Sequence, residues 1–305
     1  MELGGGDNSL RRAKAAYSGT AWIALGGVIA SQVLAAAAAL LVTRKGASSG
    51  GETELDLFLM QLPMPLVLIG LSLLFGPKEK AESCAGETGT GFSFPALLLA
   101  ALPLMYGGAL LGNLAGGLLS MGRGINPVQT VTGRSGPLML LYMVVIGPVT
   151  EEWFFRGTLL PRVARFGEKT AIWFTALLFA LYHVNVYQFF YAFWLGLMLG
   201  YIRVRTGGIR LGALLHMTVN VLGGALPALV IRSGSENVLA AFALSVLLLA
   251  AAGIAVLRRF LGARYYLPAE EELPDEIGRQ CAVNNAGMII CTLVCLALAA
   301  YSLYA

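Results

Sequence analysis

Apolar residues run along this chain in blocks of 15 to 27, broken by short stretches rich in Gly, Ser and charge. A helix needs about 20 mostly apolar residues to cross the hydrocarbon core of a bilayer. On that measure the blocks predict helices at 20–43, 57–76, 94–120, 137–156, 170–184, 186–202, 209–231, 237–257 and 287–304. The expected fold is an all-α polytopic membrane protein with about eight to nine transmembrane helices. Three regions are expected: N-terminal membrane helices over 1–136, a core over 137–231, and C-terminal membrane helices over 232–305.

The fifth and sixth blocks depart from the pattern. The fifth has only about 15 residues, a rise of about 23 Å against a hydrocarbon core of roughly 30 Å. The two meet at His183-Val184-Asn185 with almost no loop. The hairpin is therefore expected to turn inside the bilayer. Irregular backbone at that depth requires surrounding protein or a water-filled cavity, so an intramembrane cavity is predicted near His183.

Composition sharpens this class. The chain is 57% hydrophobic and 12% charged, against about 25% charged in a soluble domain. Its net charge of +4 is spread over short loops, which argues against a nucleic-acid surface. With the N-terminus inside, sixteen of the 21 Lys and Arg residues fall on the inner side. That asymmetry predicts a cytoplasmic N-terminus in the cell membrane. Cys84 and Cys281 are expected in polar loops and Cys291 and Cys295 in an apolar helix, with no CxxC spacing for a metal. Gly107, Gly108, Gly112, Gly116 and Gly117 predict a close-packing helix face. Asn113 and Gln61 are read as interhelical hydrogen-bonding residues, and the acidic stretch 268–276 as a solvated loop.

The candidate chemistry is concentrated in Thr150-Glu151-Glu152-Trp153-Phe154-Phe155-Arg156, at the end of an uncharged apolar run. Carboxylates in a lipid-immersed segment are costly, about 2.5–3.5 kcal/mol each on insertion scales. Glu152 and Arg156, four apart, share a helix face and are expected to pair, while Glu151 diverges by about 100°. Both histidines of the chain, His183 and His216, also fall inside apolar blocks, and Asn220 shares a face with His216. Counting from the expected cytoplasmic ends, Glu151 and His216 come out about 9–10 Å deep on the same side. A carboxylate, two imidazoles and an amide are the parts of a site that activates water and stabilises an oxyanion. The same Glu151, His183 and His216 are also three potential ligands for a catalytic zinc. No GxSxG or HExxH motif occurs.

Three motifs in order, Glu151-Glu152-xxx-Arg156, Phe179-xxx-His183 and His216-xxx-Asn220, resemble the signatures of the CAAX-protease and bacteriocin-processing family. The resemblance covers residues 137–230. It implies a glutamate intramembrane endopeptidase of the CAAX prenyl protease type 2 kind, with helices enclosing a membrane-immersed catalytic cavity. Glu151 would activate water with help from His183. His216 and Asn220 would form the oxyanion site, with Glu152, Arg156 and Phe179 supporting. The implied partners are a peptide or lipidated protein substrate and the bilayer, with no nucleic acid. No cofactor is implied, a zinc-dependent version being the alternative. Two other functions compete: a non-catalytic immunity or scaffold protein using the same cavity, and a proton-coupled transporter.

Overall fold

The computed structural model describes residues 3–49, 53–77, 89–124, 126 and 136–303. Cys84, Lys78, Lys80 and Arg134 lie outside them. Every apolar block is helical, and no strand occurs among the described residues. In chain order the helices are α1 (Leu3–Ser49), α2 (Glu54–Gln61), α3 (Pro63–Phe75), α4 (Phe94–Leu119) and α5 (Pro137–Ala164). They continue as α6 (Glu168–Tyr182), α7 (Val186–Thr206), α8 (Arg210–Arg232), α9 (Glu236–Gly262), α10 (Asp275–Val283) and α11 (Ala286–Ser302). Six spans are long and apolar enough to cross a membrane, α2 and α3 together forming one. The α10–α11 pair, bent by 59°, makes a seventh if it counts as one span. The protein is an all-α, multi-pass membrane protein.

Several boundaries and environments differ from expectation. The α5 helix runs eight residues past the expected end at 156, so Arg156 lies within the helix rather than at its end, and is buried, 1% exposed. Cys281 is buried within α10 rather than set in a polar loop. The acidic stretch 268–276 is largely exposed, as expected of a solvated loop, but its last two residues begin α10; Glu271 pairs with Arg12 at 3.1 Å, and its amide donates to the Arg165 carbonyl at 2.9 Å. Asn113 and Gln61 face the central cavity, and the Asn113 amide donates within its own helix to Ala109.

The packing that positions the core is a glycine seam. A Cβ added at Gly112 of α4 would stand 2.2 Å from the Tyr187 carbonyl oxygen of α7, and one at Gly108 would stand 2.5 Å from Tyr191 Cα. Small residues one turn apart let the backbones approach closely. Gly107 and Gly117, by contrast, face open space. The α6–α7 hairpin turns at 183–185, where the Asn185 side chain caps α7 by accepting from Tyr187 N–H at 3.0 Å. Val184 there has φ +43°, a left-handed conformation costly for a β-branched residue. Its carbonyl accepts from Ser302 Oγ of α11 at 3.2 Å. The outer end of the hairpin is fixed by a buried ion pair, Arg205 of α7 with Glu168 of α6, and Glu168 also accepts from the Leu267 amide at 3.0 Å.

In detergent, Gly112→Val should lower the unfolding temperature by the equivalent of about 1–3 kcal/mol, as overpacking does. Gly117→Ala should leave it unchanged, since its Cβ meets nothing within 4 Å. Thermal unfolding followed by size-exclusion chromatography checks both; equal losses would remove the seam from the account.

Candidate active site

The α5 helix carries the carboxylates, and its local geometry depends on proline. Its turns widen to π-helix at Tyr142–Ile146 and Trp153–Leu159, and α8 does the same at Val221–Ala225. Each wide turn closes with an i→i−5 bond: Gly147 N–H to Tyr142, Leu160 N–H to Phe155, and Leu226 N–H to Val221. In all three the next residue is proline, at 148, 161 and 227. Proline has no N–H to give and its ring crowds the carbonyl four residues back, so a widened turn before it relieves the clash. Glu151 and Glu152 sit between two such turns, and Asn220 directly precedes the third.

The two carboxylates have separate environments, as their spacing implied. Glu152 is buried, and its Oε1 accepts from Arg156 Nη1 at 2.8 Å. The Arg156 guanidinium also donates from Nη2 to the Gly196 carbonyl of α7 at 3.2 Å. Glu151 takes no part in this pair and lines a cavity of about 650 Å³ together with His183, His216, Asn220 and Phe179. The structure thus brings every sequence-derived candidate to one place, Glu152 and Arg156 lying directly behind the cavity wall.

Each ring is held in a defined orientation. His183 Nδ1 lies 2.8 Å from the Phe179 carbonyl. A carbonyl only accepts, so the proton is on Nδ1, and in the neutral ring Nε2 carries the lone pair. His216 Nδ1 lies 3.1 Å from Glu152 Oε1, and its Nε2 lies 3.8 Å from Glu151 Oε2. The Phe179 ring packs edge-on against both imidazoles, with centroids 4.9 Å from His183 and 5.8 Å from His216. Its face meets the Arg156 guanidinium at 4.4 Å, a cation–π contact that also keeps that charge off the cavity. Asn220 donates from Nδ2 to the Met143 carbonyl at 2.8 Å; an amide nitrogen has a second hydrogen to offer.

The equal-depth count for Glu151 and His216 does not hold as arithmetic. Ala164, the true end of α5, is thirteen residues beyond Glu151, whereas Arg210 is six before His216. The residues meet because helix ends stand at different heights, not because their counts match. The contact from Glu152 to His216 was not foreseen, nor were the Met143 carbonyl and the tyrosines 142, 182 and 191 that line the cavity. Among the described residues no group of three or more His, Cys, Asp or Glu is arranged to hold a metal ion.

Removing one partner of a buried pair leaves an uncompensated charge, at a cost of about 3–5 kcal/mol. Arg156→Met should therefore lower thermal stability by that order, and the Glu152→Gln/Arg156→Met double variant should recover much of it. Equal instability of single and double variants would mean that the loss is one of packing.

No curated protein and no solved structure matches the chain. Residues 133–222, which hold all of the candidate residues, match the family described as type II CAAX prenyl endopeptidase, Rce1-like. Over those residues, less than a third of the chain, the sequence is similar to the CAAX-protease family, in agreement with its three motifs.

Proposed function

We propose that this protein is an intramembrane endopeptidase that hydrolyses a peptide bond of a small or lipidated substrate with water activated by Glu151. The family match supports a protease. The observation that carries the mechanism is the division of labour between the carboxylates: Glu152 is committed to Arg156 and His216, and Glu151 faces the cavity beside both imidazoles.

In this reading Glu151 takes a proton from water as the water oxygen bonds to the scissile carbonyl carbon and the carbonyl π electrons move to oxygen. His183 Nε2, an acceptor, holds the second hydrogen of that water. The developing oxyanion is met by the second amide hydrogen of Asn220 and, when its Nε2 bears a proton, by His216. Collapse of the intermediate breaks the C–N bond, and the proton on Glu151 goes to the leaving amine. Such proton transfer contributes typically about 10²–10⁴-fold in rate, and loss of one oxyanion donor costs about 10²–10³-fold.

The reaction is assigned to the side chains without a metal. The protein is assigned to the cell membrane with a cytoplasmic N-terminus, supported by the inner bias of Lys and Arg.

Glu151→Gln should reduce peptide cleavage by purified protein by about 10²-fold or more while leaving it monodisperse; retained cleavage would remove the mechanism. EDTA and phenanthroline should leave wild-type cleavage intact. Inhibition reversed by added zinc would instead make Glu151, His183 and His216 metal ligands.

A further inference from the structure

The start of α7 carries a run of side-chain hydrogen bonds that the mechanism above does not use. Asn185, Gln188 and Tyr191 stand three residues apart, so they follow one face of the helix, and all three line the cavity. The direction of each bond is fixed from the first. The Tyr187 N–H can only donate, and it gives its hydrogen to Asn185 Oδ1 at 3.0 Å. Asn185 Nδ2 is therefore the donor to Gln188, whose Oε1 accepts at 3.0 Å. That leaves Gln188 Nε2 to donate to the Tyr191 hydroxyl oxygen at 2.7 Å. A phenol has one hydrogen besides its accepting lone pairs. With the oxygen accepting from Gln188, that hydrogen is turned away from the run, and no acceptor takes it among the described residues.

Other tyrosines of the cavity spend their hydroxyls within the protein. Tyr106 donates to the Leu222 carbonyl at 2.9 Å, and Tyr142 to the Met64 sulfur at 3.7 Å. Tyr182 shares a bond with Ser31 at 2.8 Å. Tyr191 keeps its hydrogen for the cavity, and its backbone is closely packed. A Cβ added at Gly108 of α4 would stand 2.6 Å from the Tyr191 nitrogen and 2.8 Å from its Cβ. Gly196, five residues further along α7, is the residue whose carbonyl meets Arg156 behind the cavity wall. Tyr191 is thus about 7.5 Å of helical rise from that level, the span of about two residues of extended chain.

We propose that Tyr191 is a substrate-binding residue, its hydroxyl donating to a backbone carbonyl of the substrate within about two residues of the scissile bond. This rests on the peptidase reading, in which His216 and Asn220 of α8 meet the scissile carbonyl itself. Gln188 and Asn185 are positioning residues that aim the hydroxyl from the N-cap of its own helix. A helix spends its carbonyls on N–H groups four residues on, so a free carbonyl is presented only by an unwound stretch. The grip therefore selects an extended backbone rather than one particular side chain.

The test is steady-state cleavage of an S-farnesylated, internally quenched peptide by the purified full chain. Tyr191→Phe keeps the ring and removes the hydroxyl. It should raise KM about 3–10-fold, the weight of one hydrogen bond, and lower kcat/KM by the same factor. Gln188→Leu keeps the hydroxyl but not its aim, and should give a smaller rise. A thioamide, a weaker acceptor, is then placed at each carbonyl within two residues of the scissile one. At one position it should raise KM for the wild type without raising it further for Tyr191→Phe; equal effects on both proteins at every position overturn the contact. Kinetics of Tyr191→Phe identical to the wild type also overturn it, and so does a fall in kcat alone, which would put the hydroxyl on Glu151 or its water. If Tyr191→Phe is not monodisperse, Gln188→Leu and the thioamide series on the wild type decide. Cleavage abolished by Glu151→Gln but indifferent to Tyr191→Phe removes this contact and leaves the peptidase reading standing, whereas a wild type that does not cleave the peptide removes both.

Discussion

One carboxylate oxygen organises this molecule. Glu152 Oε1 accepts from Arg156 in its own helix and from His216 in α8, and Arg156 goes on to the Gly196 carbonyl of α7. In lipid a charge without partners costs several kcal/mol, and these bonds tie the three helices together around it. They also fix His216 by its Nδ1 side, which leaves only Nε2 for the cavity. Stability and chemistry share the same bond here: whatever loosens Glu152 also turns the imidazole.

The prolines act at the next level. Three wide turns, each closed immediately before a proline, surround the candidate residues. A π-turn inserts one residue into the helical register and is found frequently at functional sites. Here two such turns flank the α-helical stretch Gly147–Glu152 that carries both carboxylates. Such a turn also frees backbone groups within the bundle, and the Met143 carbonyl, which lies in the first wide turn, anchors Asn220.

Much of this was legible in the sequence, and the limits have physical causes. Hydrophobic block length located the long apolar helices, because in lipid the backbone has few alternatives, but it missed the short, polar α10 and the break between α2 and α3. Four-residue spacing gave the Glu152–Arg156 pair. The same spacing placed Asn220 beside His216 but could not reveal that each would be anchored by a residue of α5, because cross-helix contacts depend on rotation and height. Arg156 was expected at the end of its helix, since an arginine normally marks a helix end in a membrane; its counter-ion one turn earlier was the signal that it could be buried. The prolines at 148, 161 and 227 were visible signs of the wide turns, two of them standing in otherwise regular apolar runs and Pro161 just past the expected helix end.

The strained turn at Val184 has a practical meaning. Its carbonyl is held by Ser302, some eighty residues past the end of the family match, and His183 is its immediate neighbour in sequence. The segment that carries the recognisable motifs is therefore not the unit that keeps them in place. Lipid accepts many apolar sequences in the last helix, but replacing Ser302 by an apolar residue would remove the bond that reaches this turn.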